Sequence, residues 1–248
     1  MKKKIFYWSP CLNPVGTLKS TLNSALSLKK YNNKNEIYMI NACGEWNDYK
    51  KFFFDNSINL INLNFHYFKY LPKRGFVSSR FSYLVIFILS FLPLLILLKK
   101  HKPDIIFLHL VTSLPLTILR LFNMDTEFIL RISGYPKLNF LRKFFWKSIS
   151  NKIKFVTCPS YDLKKQLEAL NIFSDKKIFF LPDAIIRIEK LKKEKKFTFD
   201  KDIPKNKKII LSAGRLTKQK NFSYLINEFS EFSNTNDQFV LLILRDGE

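Results

Sequence analysis

The chain has 248 residues, 47% of them hydrophobic, enough to bury a sizeable core, and its formal net charge is +22. Cys11, Cys43 and Cys158 are far apart, odd in number and lack CxxC spacing, so neither a disulfide framework nor a zinc site is suggested, and a reducing cytosol fits. The charge reads either as an anionic partner or as a lysine- and asparagine-rich composition with no partner behind it; nucleic acid has no support from a zinc knuckle, an RNP-type aromatic signature or a serine-arginine tract, and is not expected.

The elements follow in chain order. The basic start, Met1-Lys-Lys-Lys-Ile-Phe-Tyr-Trp-Ser-Pro10, imitates a signal peptide, but its apolar run is short and no small-residue cleavage site follows. It reads as an exposed basic start entering a first strand at residues 5–8. Pro10 and Pro14 bracket a loop that ends at Gly16. Leu18, Leu22, Ala25 and Leu26 then share one helical face. Further strands are expected at residues 36–41, 58–64, 104–110, 127–132, 154–158 and 177–181, with helix-length segments between most of them. Such alternation implies a parallel sheet covered by helices on both faces, with ligands at the carboxyl ends of its strands.

Two segments suggest a membrane. Residues 81–98 carry no charge and form a helix of about 27 Å, close to a membrane span. Three readings compete: a span, a core helix, and a helix lying partly in the interface. A span would put the strands before and after it on opposite sides of a bilayer, and basic residues flank both ends, so the positive-inside rule favours neither side. Pro93 also interrupts the run. Residues 137–154 interleave Phe140, Phe144, Phe145 and Trp146 with Lys137, Arg142, Lys143, Lys147, Lys152 and Lys154. With aromatics below and cations above, that is the composition of a helix on anionic lipid; an ordinary surface helix with one buried face is the alternative.

Residues 187–207 change character. Lysines crowd together with few apolar residues, which marks a basic linker. The first domain is therefore expected over 1–186 and a second from 208. Within 208–248, a strand, a helix with Phe222, Leu225, Ile226, Phe229 and Phe232 on one face, and a strand at 238–244 make one βαβ unit. One such unit leaves apolar faces uncovered.

The join between the first of these strands and the helix is where chemistry is expected. Gly214 permits a sharp turn and close approach of a ligand. Arg215 offers a planar fork for phosphate oxygens and Lys220 a point charge, and the helix start presents free N–H groups. Together they would hold a diphosphate; a lysine-rich surface loop is the alternative. Asp200-Lys-Asp202 has the spacing of a metal-binding carboxylate pair, but it lies in the linker with no buried strand before it, and charge balance accounts for it.

The segment Ser212-Ala-Gly-Arg-Leu-Thr-Lys-Gln-Lys-Asn221, with Leu225-Ile-Asn-Glu-Phe229 and Leu241-Leu-Ile-Leu-Arg-Asp-Gly-Glu248, resembles the start of the second domain of family 4 glycosyltransferases. Arg245 stands where that family's Gly-Asp-Gly-Glu has its first glycine. Upstream, Pro103-Asp-Ile-Ile-Phe-Leu-His109 is similar to the family's fourth strand, Cys158-Pro-Ser160 to a helix entry, and Lys177-Ile-Phe-Phe-Leu-Pro-Asp183 to the strand before the interdomain linker, with Asp183 in place of Asn. Residues Asn13-Pro-Val-Gly16 sit where the family often has paired glycines, and Ile132-Ser133-Gly134 where many members carry a His.

The resemblance implies a GT-B architecture of two Rossmann-like domains. It implies transfer of a sugar from a nucleotide-sugar to a glycolipid or polysaccharide acceptor, as in lipopolysaccharide synthesis, with retention and with neither metal nor cofactor. Arg215 and Lys220, beside Gly214, would bind the donor diphosphate. Asn13 and Gly16 would lie near acceptor and donor. His109 would hydrogen-bond the sugar or reacting region, a buried His bonded to backbone being the alternative. The expected setting is peripheral, at the cytoplasmic face of the membrane. The family's second domain is expected to continue beyond Glu248. A product ending there would be an inactive acceptor- and membrane-binding module, and its strand at 239–244 would be an aggregation-prone edge.

Overall fold

The computed structural model describes residues 2–12, 16–63, 70–72, 76–184, 188, 192, 206–214, 216 and 218–244. The chain divides into two compact units, Met1–Lys192 and Lys193–Glu248.

The first unit is built on seven strands: β1 (Lys4–Trp8), β2 (Glu36–Asn41), β3 (Asn59–Asn62), β4 (Ile105–Leu108), β5 (Glu127–Arg131), β6 (Ile153–Cys158) and β7 (Ile178–Phe180). All pairings are parallel, in the order β3-β2-β1-β4-β5-β6-β7. The order reverses between β1 and β4, so the crevice at their carboxyl ends is a topological switch point. Among the described residues, six α-helices lie between the strands: α1 (Gly16–Tyr31), α2 (Lys50–Asp55), α3 (Phe76–His101), α4 (Ser113–Leu121), α5 (Phe140–Ile149) and α6 (Tyr161–Ala169).

The strands are nearly continuous apolar runs because both faces of the sheet are covered. Side chains alternate across it. Ile5 and Tyr7 join α1 and α2 in one core, with Leu18, Leu22, Ala25 and Phe53. Phe6 and Trp8 join the other, with Leu94 and Leu98 of α3, Leu116 of α4, Trp146 of α5 and Leu167 of α6. Side-chain caps start two helices: Asn139 accepts from the Arg142 N–H at 2.9 Å, and Ser160 from the Leu163 N–H at 3.2 Å. Each cap satisfies a first-turn donor that the helix leaves free.

Of the three sequence readings of the long apolar helix, the fold decides against the span. Residues Arg80–His101 are long and apolar enough to cross a membrane. However, β3 and β4, on either side of α3, lie in one sheet, which a span would forbid. Ile86, Leu94, Leu95, Leu97 and Leu98 are buried, whereas Phe81, Leu84, Ile88, Leu92 and Ile96 are exposed. α3 is therefore a covering helix with one apolar face inside and a second outside. In α5 the aromatics are likewise divided between faces: Trp146 is buried, and Phe140 and Phe144 are exposed beside the cations.

The second unit has β8 (Lys208–Ala213), α7 (Phe222–Ser233) and β9 (Phe239–Leu244). The two strands pair in parallel, from Lys208 beside Phe239 to Ala213 beside Leu244. Phe222 is buried, but Ile209, Leu211 and Ile226 are exposed. A single βαβ unit covers one side of its sheet only.

Candidate functional site

In the first unit the carboxyl ends of β4 and β5 open into a cavity of about 520 Å³. His109, Thr112 and Ser113 border it from the β4–α4 turn, Arg131 and Ser133 from the end of β5, and Arg142, Phe145 and Trp146 from α5. The turn is unusual. The His109 N–H extends the ladder to the Trp8 carbonyl at 2.9 Å. Val111 then takes φ 46°, left-handed backbone that a β-branched residue rarely adopts. The Trp8 indole N–H donates to the Val111 carbonyl at 3.3 Å and helps hold this turn. Such strain persists only where the surroundings over-determine it, and it gathers at working sites. α4 then begins with no side-chain cap at Thr112.

His109 sits at the strand end where the sequence placed it. Its ring lies over Tyr7 at 6.0 Å and 29°. Both ring nitrogens are buried, and neither has a hydrogen-bond partner among the described residues. Burial, and then the Arg131 charge, push its pKa down to about 3. At neutral pH the imidazole is uncharged, and one nitrogen can donate while the other accepts.

Arg131 is the residue sequence reasoning missed. It is buried. Its guanidinium donates to the Leu181 carbonyl at 2.6 Å and to Asp183 Oδ1 at 2.7 Å. Glu45 was also missed. Its carboxylate accepts from the Ala42 N–H at 3.2 Å and the Cys43 N–H at 2.6 Å in the turn after β2. Burial raises its pKa to about 7, against the pull of those N–H groups. Burial, and then the Glu45 charge, also push the Cys11 thiol up to about 12, and Cys43 rises for the same two reasons. Both thiols stay protonated at neutral pH and are poor nucleophiles.

In the second unit, the peptide N–H of Gly214 donates to the Leu244 carbonyl at 3.2 Å. A methyl group at Gly214 would stand 3.5 Å from Phe222 and 3.6 Å from the methylenes of Lys220. Gly214 and Lys220 are thus brought together at the start of α7, whose N-cap, Asn221, makes no side-chain cap. The Gly214 backbone is not left-handed; Asn221, at φ 49°, is. Arg215 and Asn13 lie outside the described residues, as do Asp200 and Asp202. Gly16 is the exposed first residue of α1, with open space where a Cβ would stand. Among the described residues, no three His, Cys, Asp or Glu side chains gather as a metal site.

No family model and no curated protein matches the sequence. Solved structures do. A glycosyltransferase from Rickettsia africae ESF-5 aligns with TM-score 0.62 and 18% identity, over 99% of this chain and 69% of its own. The UDP-GlcNAc 2-epimerase of Neisseria meningitidis, bound to UDP-GlcNAc, aligns with TM-score 0.61 and 16% identity, over 99% of this chain and 65% of its own. UGT73P12 of Glycyrrhiza uralensis, in complex with glycyrrhetinic acid 3-O-monoglucuronide, aligns with TM-score 0.58 and 8% identity, over 99% and 69%. The chain thus spans about two thirds of the length of these proteins. At such identities the likeness establishes the fold, which is α/β, Rossmann-like and that of part of a GT-B enzyme.

Proposed function

We propose that this chain belongs to a glycosyltransferase that moves a sugar from a nucleotide-sugar to a glycolipid or polysaccharide acceptor at the cytoplasmic face of a membrane. The observation that carries the reading is in the second unit, where Lys220 folds against Gly214 at the uncapped start of α7. When a sugar leaves a nucleoside diphosphate, negative charge builds on the diphosphate. Lys220, Arg215 and the N–H groups of the helix start would meet it and lower the barrier without a metal or a cofactor. Retention at the anomeric carbon follows from the resemblance to family 4.

In the first unit, His109 would offer one donor and one acceptor to a sugar hydroxyl in the cavity at the ends of β4 and β5. Its neutrality suits it to hydrogen bonding rather than to charge stabilisation. One neighbour is a glycosyltransferase and another an epimerase bound to UDP-GlcNAc, which supports a nucleotide-sugar as the ligand class.

The test is equilibrium binding of UDP to the chain at low salt, with Arg215→Ala and Lys220→Ala beside it. Each substitution is expected to weaken binding about tenfold, the effect of losing one charge-assisted contact. Failure to bind UDP would overturn the donor reading. Interconversion of UDP-GlcNAc and its C2 epimer, without transfer, would replace the transferase with an epimerase.

A further inference from the structure

We propose that the layer formed by α3, α4 and α5 is the face by which this protein lies on an anionic lipid bilayer. The proposal rests on the membrane-face part of the function above and names the surface that would carry it.

The outer side of α3 is an apolar stripe. Phe81, Leu84, Ile88, Leu92 and Ile96 recur every three or four residues and are each 55–61% exposed. That spacing places them on one face of the helix. α4 packs beside α3 and α5 beside α4. α5 adds Phe140, Leu141 and Phe144, all exposed. Cations bind the layer together: Lys99 sits over the Phe122 ring at 4.9 Å and Arg120 over the Phe145 ring at 5.8 Å.

The charge pattern chooses the occupant. None of the three helices contains an Asp or a Glu, while Lys99, Lys100, Arg120, Arg142, Lys143 and Lys147 all lie on them. By contrast, α2 carries Asp55, and α6 carries Asp162 and Glu168. A second copy docking on this face would set cations against cations with no carboxylate between them. Nucleic acid would leave the aliphatic stripe uncovered. An anionic bilayer satisfies both features, because headgroups pair with the lysines and arginines and the interface takes up the Leu, Ile and Phe side chains. α3 is already packed on the sheet along its other side, so it would lie in the interface plane and not across it.

α5 links this face to the site. Phe140 and Phe144 belong to the exposed surface, while Arg142, Phe145 and Trp146 line the cavity beside His109. A lipid-borne acceptor would therefore meet the same helix that borders the cavity.

The test is flotation of the full chain with vesicles of phosphatidylcholine alone and of phosphatidylcholine mixed with phosphatidylglycerol. The chain should float with the anionic vesicles, and added salt should weaken this without abolishing it. Ile88→Ser with Leu92→Ser, and separately Phe140→Ser with Phe144→Ser, should cut the floated fraction about tenfold. These side chains are exposed, so an unchanged circular dichroism spectrum is expected. Lys99→Glu with Lys143→Glu leaves the apolar stripe intact and should abolish the preference for anionic lipid. No flotation of the unmodified chain, or flotation that the serine pairs leave unchanged, would overturn the proposal. So would a concentration-dependent doubling of mass that the Ile88 and Leu92 pair abolishes, which would assign the face to a second copy. No nucleotide-sugar enters the assay, so its failure leaves the donor reading standing.

Discussion

Arg131 Nη2 and Asp183 Oδ1 stand 2.7 Å apart, with the arginine side chain 4% exposed and the aspartate 23%. Asp183 is also where this chain departs from the Asn of the family it resembles. The geometry supplies the reason: a buried guanidinium at the end of β5 is paired there by a carboxylate. Removing one partner strands a buried charge, so Asp183→Ala should cost about 3–5 kcal/mol. Asp183→Asn keeps an acceptor and should cost less, about 1–2 kcal/mol. The pair Lys154–Glu127, at 2.9 Å but 48% and 37% exposed, is a control. Lys154→Ala should cost under about 1 kcal/mol, because solvent screens it. Urea unfolding of the three variants checks the order, and equal losses would refute the distinction.

His109 and Glu45 should tilt stability with pH in opposite directions. The folded value of His109 is depressed to about 3, so its stabilisation is complete above an ordinary histidine pKa near 6.5 and is lost as pH falls from there toward 3. Glu45 is raised to about 7, so its stabilisation is complete below an ordinary glutamate value near 4.5 and is lost as pH rises through 7. Between roughly 4.5 and 6.5 the slopes oppose each other, each up to about 1.4 kcal/mol per pH unit. Glu45→Gln should expose the acid limb alone, and His109→Phe the alkaline limb alone. Because neither ring nitrogen of His109 has a partner among the described residues, His109→Phe should also hold or raise stability at pH 7. Urea midpoints from pH 3 to 8 read all three profiles. A loss of stability in His109→Phe at pH 7 would mean that the ring nitrogens are satisfied after all.

Gly44 closes the turn that carries Glu45. Its φ is +89°, and an added methyl group would come 2.9 Å from Asn47 Nδ2. Gly44→Ala therefore combines a forbidden backbone with a contact that must give way. It should destabilise the chain by about 1–3 kcal/mol and release the Glu45 pKa toward its ordinary value. Gly16→Ala, in open space at the start of α1, should be neutral or slightly stabilising. Thermal unfolding of the pair separates a conformational glycine from an incidental one.

The strands were legible because a parallel sheet buried on both faces writes each strand as a short apolar run bounded by turn residues. The expected bounds of β2, 36–41, coincide with those observed, and the other strands shift by only a few residues. The end of β4 was legible for the same reason, and with it His109. Arg131 and Glu45 were not. An arginine in a strand or a glutamate after a glycine reads as a solvated charge until the fold shows what surrounds it. The facing of α5 was also hidden, because phenylalanine does not reveal whether it points to the core or away from it. Residues 81–98 show the limit most clearly. Length and composition alone admit a span as readily as a covering helix; the flanking cations, Pro93 and the expected sheet spoke against the span, and the presence of β3 and β4 in one sheet decided against it.

Gly214 offers a way to separate binding from folding in the second unit. Its backbone is not left-handed, and an alanine methyl would meet Phe222 and Lys220 at 3.5 and 3.6 Å, ordinary contact distances. Gly214→Ala should therefore leave the urea midpoint unchanged, or raise it slightly as the unfolded chain loses freedom. The same methyl would occupy the space beside the Lys220 methylenes, where a diphosphate would approach the start of α7. If that approach is the reason for the glycine, UDP should bind about tenfold more weakly to Gly214→Ala at unchanged stability, and Lys220→Ala should add little further because both act on one contact. Full additivity of the two substitutions would place Lys220 and Gly214 at separate contacts. Unchanged affinity in Gly214→Ala would show that no ligand comes close to this turn.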